Sequence, residues 1–416
     1  FKGYWHNRLD GDQVGGTDDT VLRGSFRVEA GPVEWLARAD YAKITGDGVT
    51  NIDFDRSSVS DAQWAFFTAF LGTPDTDMDD RTLNQHLTAS VDDEQWGLNS
   101  SLSWDIGGGS TLRLINAYRD WQNEQLDGDV VFTPTPIASR TGLFDSKSQN
   151  HELQFISPKE EWLNGRLDLV AGLYYFHEKY SQGELLHMNA QFCNRLVPVT
   201  GPAPANLPLR AMCNAFGRAT GGTNATIQDV DQIVDSSAAY AQANLHITDK
   251  LFATVGGRYS MDEKKGKYDQ TTNPFTATVR ADEHLVLPDV EDSRFTYRLG
   301  LNYEPSEDHL LFASFSTGYK SAGYNSGAGA PSLTTVAGVF RPERRVFDRE
   351  TVENWELGAK TSWLDRALTL NLTLYRMDID GFQDRAFDGT SFPVRNAGTL
   401  RHQGFEFDGI ARPWRN

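Results

Sequence analysis

The sequence predicts an all-β protein, a transmembrane antiparallel β-barrel with long extracellular loops and short periplasmic turns. Three observations point there. Polar and apolar residues alternate with period 2 in many separate runs, so each strand has one greasy and one wet face. Most runs reach the ~9 to 11 residues that a tilted strand needs to cross a bilayer, whereas soluble strands average about 5 or 6. The links between runs are by turns short and long, an asymmetry that barrels of outer membranes show between their two ends. Composition agrees: the 416 residues are 39% hydrophobic and 12% aromatic, with 37 glycines and 16 prolines. No apolar stretch nears the ~20 residues of a spanning helix. A mean hydropathy of -0.49 suits a soluble protein or a barrel, in which only alternate side chains meet lipid.

In chain order the runs fall near residues 19 to 29, 34 to 46, 95 to 105, 111 to 121, 146 to 157, 166 to 178, 236 to 247, 251 to 262, 293 to 304, 310 to 324, 353 to 363, 368 to 375 and 399 to 412. In one of the clearest, Leu251, Ala253, Val255, Gly257, Tyr259 and Met261 share a face, while Thr254, Arg258, Ser260 and Asp262 share the other. Leu368, Leu370, Leu372 and Leu374 alternate likewise with Thr369, Asn371, Thr373 and Tyr375. Short turns at Ala30-Gly31-Pro32, Gly107 to Ser110, Thr248 to Lys250, Glu304 to Asp308 and Leu364 to Arg366 are set against long links at 48 to 94, 128 to 145, 189 to 235, 272 to 291 and 326 to 350. Links of that size are uncommon inside compact soluble domains and belong at the cell surface of a barrel. The run at 34 to 46 therefore points outward and that at 95 to 105 returns. Aromatics such as Trp35, Trp104, Trp121, Tyr174, Tyr175, Tyr303, Trp355 and Trp363 gather near strand ends, as interfacial girdles do.

The 57 acidic residues outnumber the 39 basic ones, for a net charge of -18, which argues against a nucleic-acid partner. The carboxylates bunch in loops. Asp75, Asp77 and Asp79 alternate like the opening ligands of an EF-hand, which would make a loop calcium site. The rest of that pattern fails, with Asp80 at the glycine position and His86 at the bidentate glutamate position. A solvated acidic loop is the simpler reading. The two cysteines, Cys193 and Cys213, fall in one long non-periodic segment, which suggests a disulfide formed in an oxidising compartment. The chain opens on Phe1-Lys2-Gly3 without a basic n-region, so an export signal is expected upstream.

No catalytic constellation is visible, and no metal site follows from the nine dispersed histidines, which lack ligand spacing. Ser314 and Ser316 have no nucleophile-elbow context, and no helix follows Gly107 to Gly109 to cradle phosphate. What the pattern does offer is a lumen and a mouth. Arg23, Arg27, Arg38, Asp40, Arg258, Arg298, Glu356 and Lys360 fall on polar strand faces and are expected to face the lumen. Tyr319, Lys320, Tyr324 and Asn325 are expected at the outer mouth, where aromatic and polar groups could take a ligand. Phe192, Arg195, Arg210 and Phe216 flank the cysteines in a loop that could gate or hold it.

Several stretches resemble TonB-dependent receptors. Leu311 through Thr317-Gly318-Tyr319-Lys320-Ser321-Ala322-Gly323-Tyr324-Asn325 is similar to that family's strand ending in a "GYK-x-GG-F/Y-N" turn. Glu350-Thr351-Val352-Glu353-Asn354-Trp355-Glu356-Leu357-Gly358-Ala359-Lys360 resembles its "PETV-x-x-(Y/W)E-x-G-x-K" signature, with Arg349 in place of proline. Leu368 to Asp380 and Asn396 to Asp408 are similar to the strands that follow. The resemblance implies a 22-stranded barrel around an N-terminal plug, with about 14 strands here: Phe1 to Asn7 would end strand 3, and the run near Arg412 would be strand 16. The plug, the first strands and the last six or so would lie outside residues 1–416, and such an open wall should not insert alone. It further implies uptake of an iron–siderophore complex or another scarce nutrient, a TonB partner reached through the plug, and contact with outer-membrane lipid and lipopolysaccharide. Sugars, oligosaccharides and cobalamin are alternative cargoes. A passive porin would share the alternation, and an adhesive β-propeller would need a regular repeat that the spacings lack.

Overall fold

The computed structural model describes residues 3–47, 56–77, 79–129, 132–159, 161–189, 191–192, 224–272, 282–326, 335–336, 339–385 and 393–412. Thirteen long strands follow one another in a single sheet: β1 (Thr17–Ala30), β2 (Val33–Gly46), β3 (Ser90–Gly107), β4 (Ser110–Asp129), β5 (Ala138–Ile156), β6 (Leu167–Met188), β7 (Asn224–Thr248), β8 (Leu251–Thr271), β9 (Val290–Ser306), β10 (His309–Lys320), β11 (Glu350–Trp363), β12 (Leu368–Asp380) and β13 (Thr399–Ala411). Each strand pairs antiparallel with its chain neighbours, and Glu283–Val286 adds a short rung beside β8. The order is that of an up-and-down barrel wall. The predicted runs are present, except that the one at 310 to 324 leaves the wall after Lys320, and the predicted short turns join the strands at one end. Gly31 and Gly107 to Gly109 have positive φ there, which a residue without Cβ adopts at no steric cost.

Most of the strands are longer than the runs that announced them. β7 has 25 residues, β6 has 22 and β8 has 21. At ~3.3 Å per residue, β7 is ~80 Å long, well beyond a bilayer, so the long-loop ends project from the membrane. The link expected at 128 to 145 shrinks accordingly to the segment between Asp129 and Ala138.

Burial separates the two faces. On the outer face Val255, Tyr259 and Met261 of β8 stay about half exposed, as do Phe295, Leu299 and Leu301 of β9 and Leu372 and Leu374 of β12. These side chains await acyl chains. Further out along β8 the polarity exchanges sides: Glu263, Lys265, Lys267 and Asp269 take the outer positions, while Tyr268 faces inward and is fully buried. β7 does the same, with Ala239, Ala241 and Ala243 outside lower down and Val230 and Val234 buried inside higher up. Close strand contacts also mark the inner face. A Cβ at Gly172 would come within 2.6 Å of the Tyr240 ring, and one at Gly358 within 2.4 Å of the Phe312 ring.

The amino-terminal expectation is corrected in one respect. Trp5–Asn7 does not enter the wall but pairs antiparallel with Gln13–Val14 and in parallel with Thr82–Leu83 in a separate small sheet. Asn7 is fully buried and ties this sheet together, its Nδ2 donating to Gln85 O at 2.9 Å and to Asp10 Oδ2 at 3.0 Å. Between β2 and β3 lies the helix α1 (Asp61–Leu71), started by a Ser60–Gln63 capping box. The acidic run that follows forms local turns. Asp75 Oδ1 and Asp77 Oδ1 accept from the amides two residues on, Asp75 Oδ2 accepts from Thr82 Oγ1 at 2.8 Å, and Arg8 pairs with Asp80.

Candidate functional site

At the projecting end, segments 282–290, 321–326 and 342–347 fold over the inner face of the β7–β8 hairpin. Leu285, Leu287 and Tyr324 pack with Val230, Tyr268 and Val290 in a buried cluster. The Arg345 guanidinium lies 3.3 Å from the Tyr268 ring centroid, and its Nη2 is 2.7 Å from Glu283 Oε2. Both charged side chains are almost fully buried, at 0% and 5% exposure. Arg345 Nη1 also donates to Asn325 O at 3.3 Å, and the Tyr268 hydroxyl donates towards Gln228 Oε1 and Gln270 Oε1 at 3.1 and 3.0 Å. A buried ion pair carries a heavy desolvation cost that only good geometry and extra hydrogen bonds offset. Here those bonds hold three loop segments in one arrangement over the lumen.

Two of the predicted mouth residues belong to this knot. Tyr324 is buried, with its hydroxyl 2.7 Å from Lys264 O and 2.8 Å from Pro288 O, and burial pushes its phenol up to about 12. Asn325 is buried too: its Nδ2 donates to Val394 O at 3.0 Å, while its Oδ1 accepts from Val394 N. Both side chains fasten loops and are turned away from open solvent. Tyr319 and Lys320 end β10 below this knot. The Tyr319 hydroxyl donates to Asp262 Oδ2 at 2.6 Å, and Lys320 is exposed. β9 and β10 cease to pair beyond Arg298 and Ser316, and the loops seat against the freed end of β9, where Arg349 pairs with the buried Asp292 at 2.7 Å.

Deeper in the lumen the predicted polar residues gather into separate contacts. Arg258 stands over the rings of Tyr174 and Tyr240, at 5.1 and 5.8 Å, and the Tyr240 hydroxyl donates to Glu152. Asp40 pairs with Arg119 at 2.6 Å across β3, a partner not singled out in the sequence. Glu356 accepts from Asn354 Nδ2 at 3.0 Å and from Ser314 Oγ at 3.3 Å, and Lys360 lies 6.0 Å from the Phe312 ring centroid. Arg27 pairs with Glu29 and Glu34, and Arg23, Arg38 and Arg298 are exposed on the inner face. These cations and aromatics suit polar or anionic groups entering the lumen.

Phe192 is half-buried just beyond β6. Cys193, Arg195, Arg210, Cys213 and Phe216 lie outside the described residues. Among the described residues, no group of three or more His, Cys, Asp or Glu side chains converges to hold a metal ion. His177 and His246 pair with Asp235 and Asp168. The Arg345–Glu283–Tyr268 knot has no sequence signal: its three members come from separate segments, two of them without alternation.

A family model described as "TonB dependent receptor-like, beta-barrel" matches residues 34–416. PiuA of Acinetobacter baumannii, a probable TonB-dependent siderophore receptor, is 26% identical over 178 residues, which is 43% of this chain and 22% of that protein. Among solved structures, the ferric yersiniabactin uptake receptor FyuA of Yersinia pestis superposes with a TM-score of 0.70 at 16% identity, covering 98% of this chain and 52% of that one. The ferric-catecholate import receptor Fiu of E. coli K12 superposes with a TM-score of 0.59 at 16% identity, covering 94% and 55%. At such identities the structural likeness speaks for the fold. The chain spans about half the length of these solved receptors.

Proposed function

The chain belongs to the TonB-dependent receptor β-barrel family, and from that premise we propose that the full-length protein binds an iron–siderophore complex at the cell surface and imports it with energy transmitted by TonB. Members of the family are outer-membrane transporters, so strands β1 to β13 form barrel wall and carry no enzyme chemistry. The observation that supports cargo entry is the lumen itself. Arg258 between Tyr174 and Tyr240, with Lys320 and Tyr319 above, gives cationic and aromatic groups beneath loops that fold inward. Ferric chelates commonly present anionic or aromatic groups, which such a lining suits. PiuA, similar over 178 residues and named a probable siderophore receptor, favours the same cargo class. The plug would fill the lumen and carry the contact with TonB.

The test uses the full-length gene in its own iron-starved host. Uptake of radioactive iron on hydroxamate, catecholate and carboxylate carriers is measured with the receptor present or deleted, and with TonB present or absent, beside labelled cobalamin and an oligosaccharide. Uptake of one iron chelate that needs both proteins is expected. Receptor-dependent uptake of only the sugar or the vitamin would replace the cargo, and uptake indifferent to TonB would remove active transport. Deleting residues 189–235 from the same receptor should weaken cargo binding, and unchanged affinity would take that loop out of the site.

A further inference from the structure

Neighbouring strands of the wall stay paired until one of the two ends, with one exception among the described strands. β9 and β10 part beyond Arg298 and Ser316, although β9 goes on pairing with β8 as far as Val290 and β10 with β11 as far as Lys320. The exposed Phe295 and Tyr297 place the aromatic girdle at this height, so the parting runs outward from the membrane surface. Side chains span it where a ladder would. By alternation Thr317 and Tyr319 share the outer face of β10 with Phe315. Yet the Thr317 hydroxyl accepts from Tyr297 N at 2.9 Å, and the Tyr319 hydroxyl donates to Asp262 Oδ2, on the inner face of β8, at 2.6 Å. The end of β10 therefore passes inside β9, and the two edges overlap.

Arg349 fastens the overlap. It donates to Ser293 O at 3.3 Å and pairs with the buried Asp292 at 2.7 Å. A proline, which the receptor signature has at this position, offers no donor for either contact. A ladder opens only by stripping a row of backbone groups of their partners, whereas these contacts part when three side chains turn. The carboxylates would not be stranded. The Lys264 ammonium, which donates to Ala322 O at 2.7 Å and feels the charges of Asp262 and Asp292, remains with them on the β8–β9 side. On the lumen side Arg294 and Arg298 of β9 are exposed, as is Lys320 at the end of β10, and none of the three has an ion partner among the described residues. The loop segments packed around Tyr268 and Arg345 lie over the lumen beside them.

We propose that the β9–β10 overlap is a side door in the projecting wall, held shut by Arg349, through which cargo passes onto Arg294, Arg298 and Lys320. The cargo half of this statement rests on the reading of the chain as a receptor for a ferric chelate; the opening of the door does not.

The experiment uses the full-length receptor in its iron-starved host and reads two things. The first needs no cargo: Ser316→Cys, at the foot of the overlap, is labelled on whole cells with a bulky, membrane-impermeant maleimide, against the parent receptor as background. Adding Arg349→Ala should quicken that labelling about tenfold, as the loss of one charge-assisted hydrogen bond allows, and Arg349→Lys should fall between. The second is uptake of radioactive ferric chelates. Tyr297→Cys with Thr317→Cys, oxidised to a cross-link, should lose most uptake and regain it on reduction. Ser237→Cys with Met261→Cys, in register on the fully paired β7–β8 ladder, should keep uptake when cross-linked. Heat-modifiability on gels confirms that each variant is folded. Labelling indifferent to Arg349→Ala, or full uptake through the cross-linked overlap, would overturn the proposal. A folded wild type that takes up no ferric chelate would overturn the cargo reading instead, and the labelling would then decide the door by itself.

Discussion

The lower and upper parts of β8 share one backbone pattern and opposite burial. Up to Met261 the apolar side chains point outward and remain about half exposed, while Arg258 and Ser260 face the lumen. Beyond it, charged residues point outward and the buried Tyr268 points in, against Leu285, Leu287 and Arg345. The same alternation thus serves two solvents: lipid completes the lower wall, and the protein's own loops complete the upper one. Their stabilities should respond differently to the same kind of change.

The largest expected effect is in the upper part. Arg345→Ala would remove the guanidinium that pairs with the buried Glu283, a change worth about 3–5 kcal/mol. In the full-length receptor this should open the 282–290 and 342–347 segments to protease while the barrel keeps its heat-modifiable migration. Replacing both partners, Arg345→Met with Glu283→Leu, should cost clearly less than Arg345→Ala. If single and double variants resist protease like the wild type, the knot does not hold the loops.

The next effect locates the boundary. Val255→Arg puts a charge on the lipid face low on β8 and should cost about 2–4 kcal/mol, whereas Asp231→Arg, on the outer face of the projecting part of β7, should cost about 0–1. Equilibrium unfolding of the full-length receptor from vesicles measures both. Equal costs would erase the distinction between the two parts.

The smallest effect is a pH dependence confined to the upper rung. The hydrogen bond to Asp269, helped by the charge of Asp282, raises the His284 pKa above its ordinary value of about 6.5. The folded state therefore favours the charged imidazole. Its contribution is complete below about pH 6.5 and fades as the pH rises through the raised value. Hydrogen exchange at 283–286, corrected for intrinsic rates, should quicken between pH 5.5 and 8.5, and His284→Gln should remove that difference. The exposure of the group keeps the effect slight.

The two parts were also unequally legible in the sequence. The lower wall announced itself because lipid on one side and water on the other enforce strict alternation, as in Leu368 to Tyr375, and because short turns such as Gly107 to Ser110 allow few conformations. The upper strands were under-read for a physical reason. Where polarity exchanges sides near Met261 on β8 and near Asp235 on β7, an alternating pattern breaks phase even though the strand continues. The stretch from Gly318 to Asn325 was visible as a resemblance, but its last tyrosine and its asparagine fasten loops, as Tyr324 and Asn325 show. Asp40 was placed on the inner face from sequence, while its partner Arg119 depends on strand register that local pattern does not give.

The exchange of polarity also sets how thick a bilayer this wall will accept. A thicker membrane would bring acyl chains up against Lys147, Lys179 and Glu263, and a thinner one would leave Leu173, Tyr259 and Phe295 in water. Hydrophobic mismatch costs fractions of a kcal/mol per Å, and thirteen strands share it at once. The barrel should therefore ride at one depth and draw the surrounding leaflet to its own height, a local deformation that neighbouring proteins in the membrane would feel.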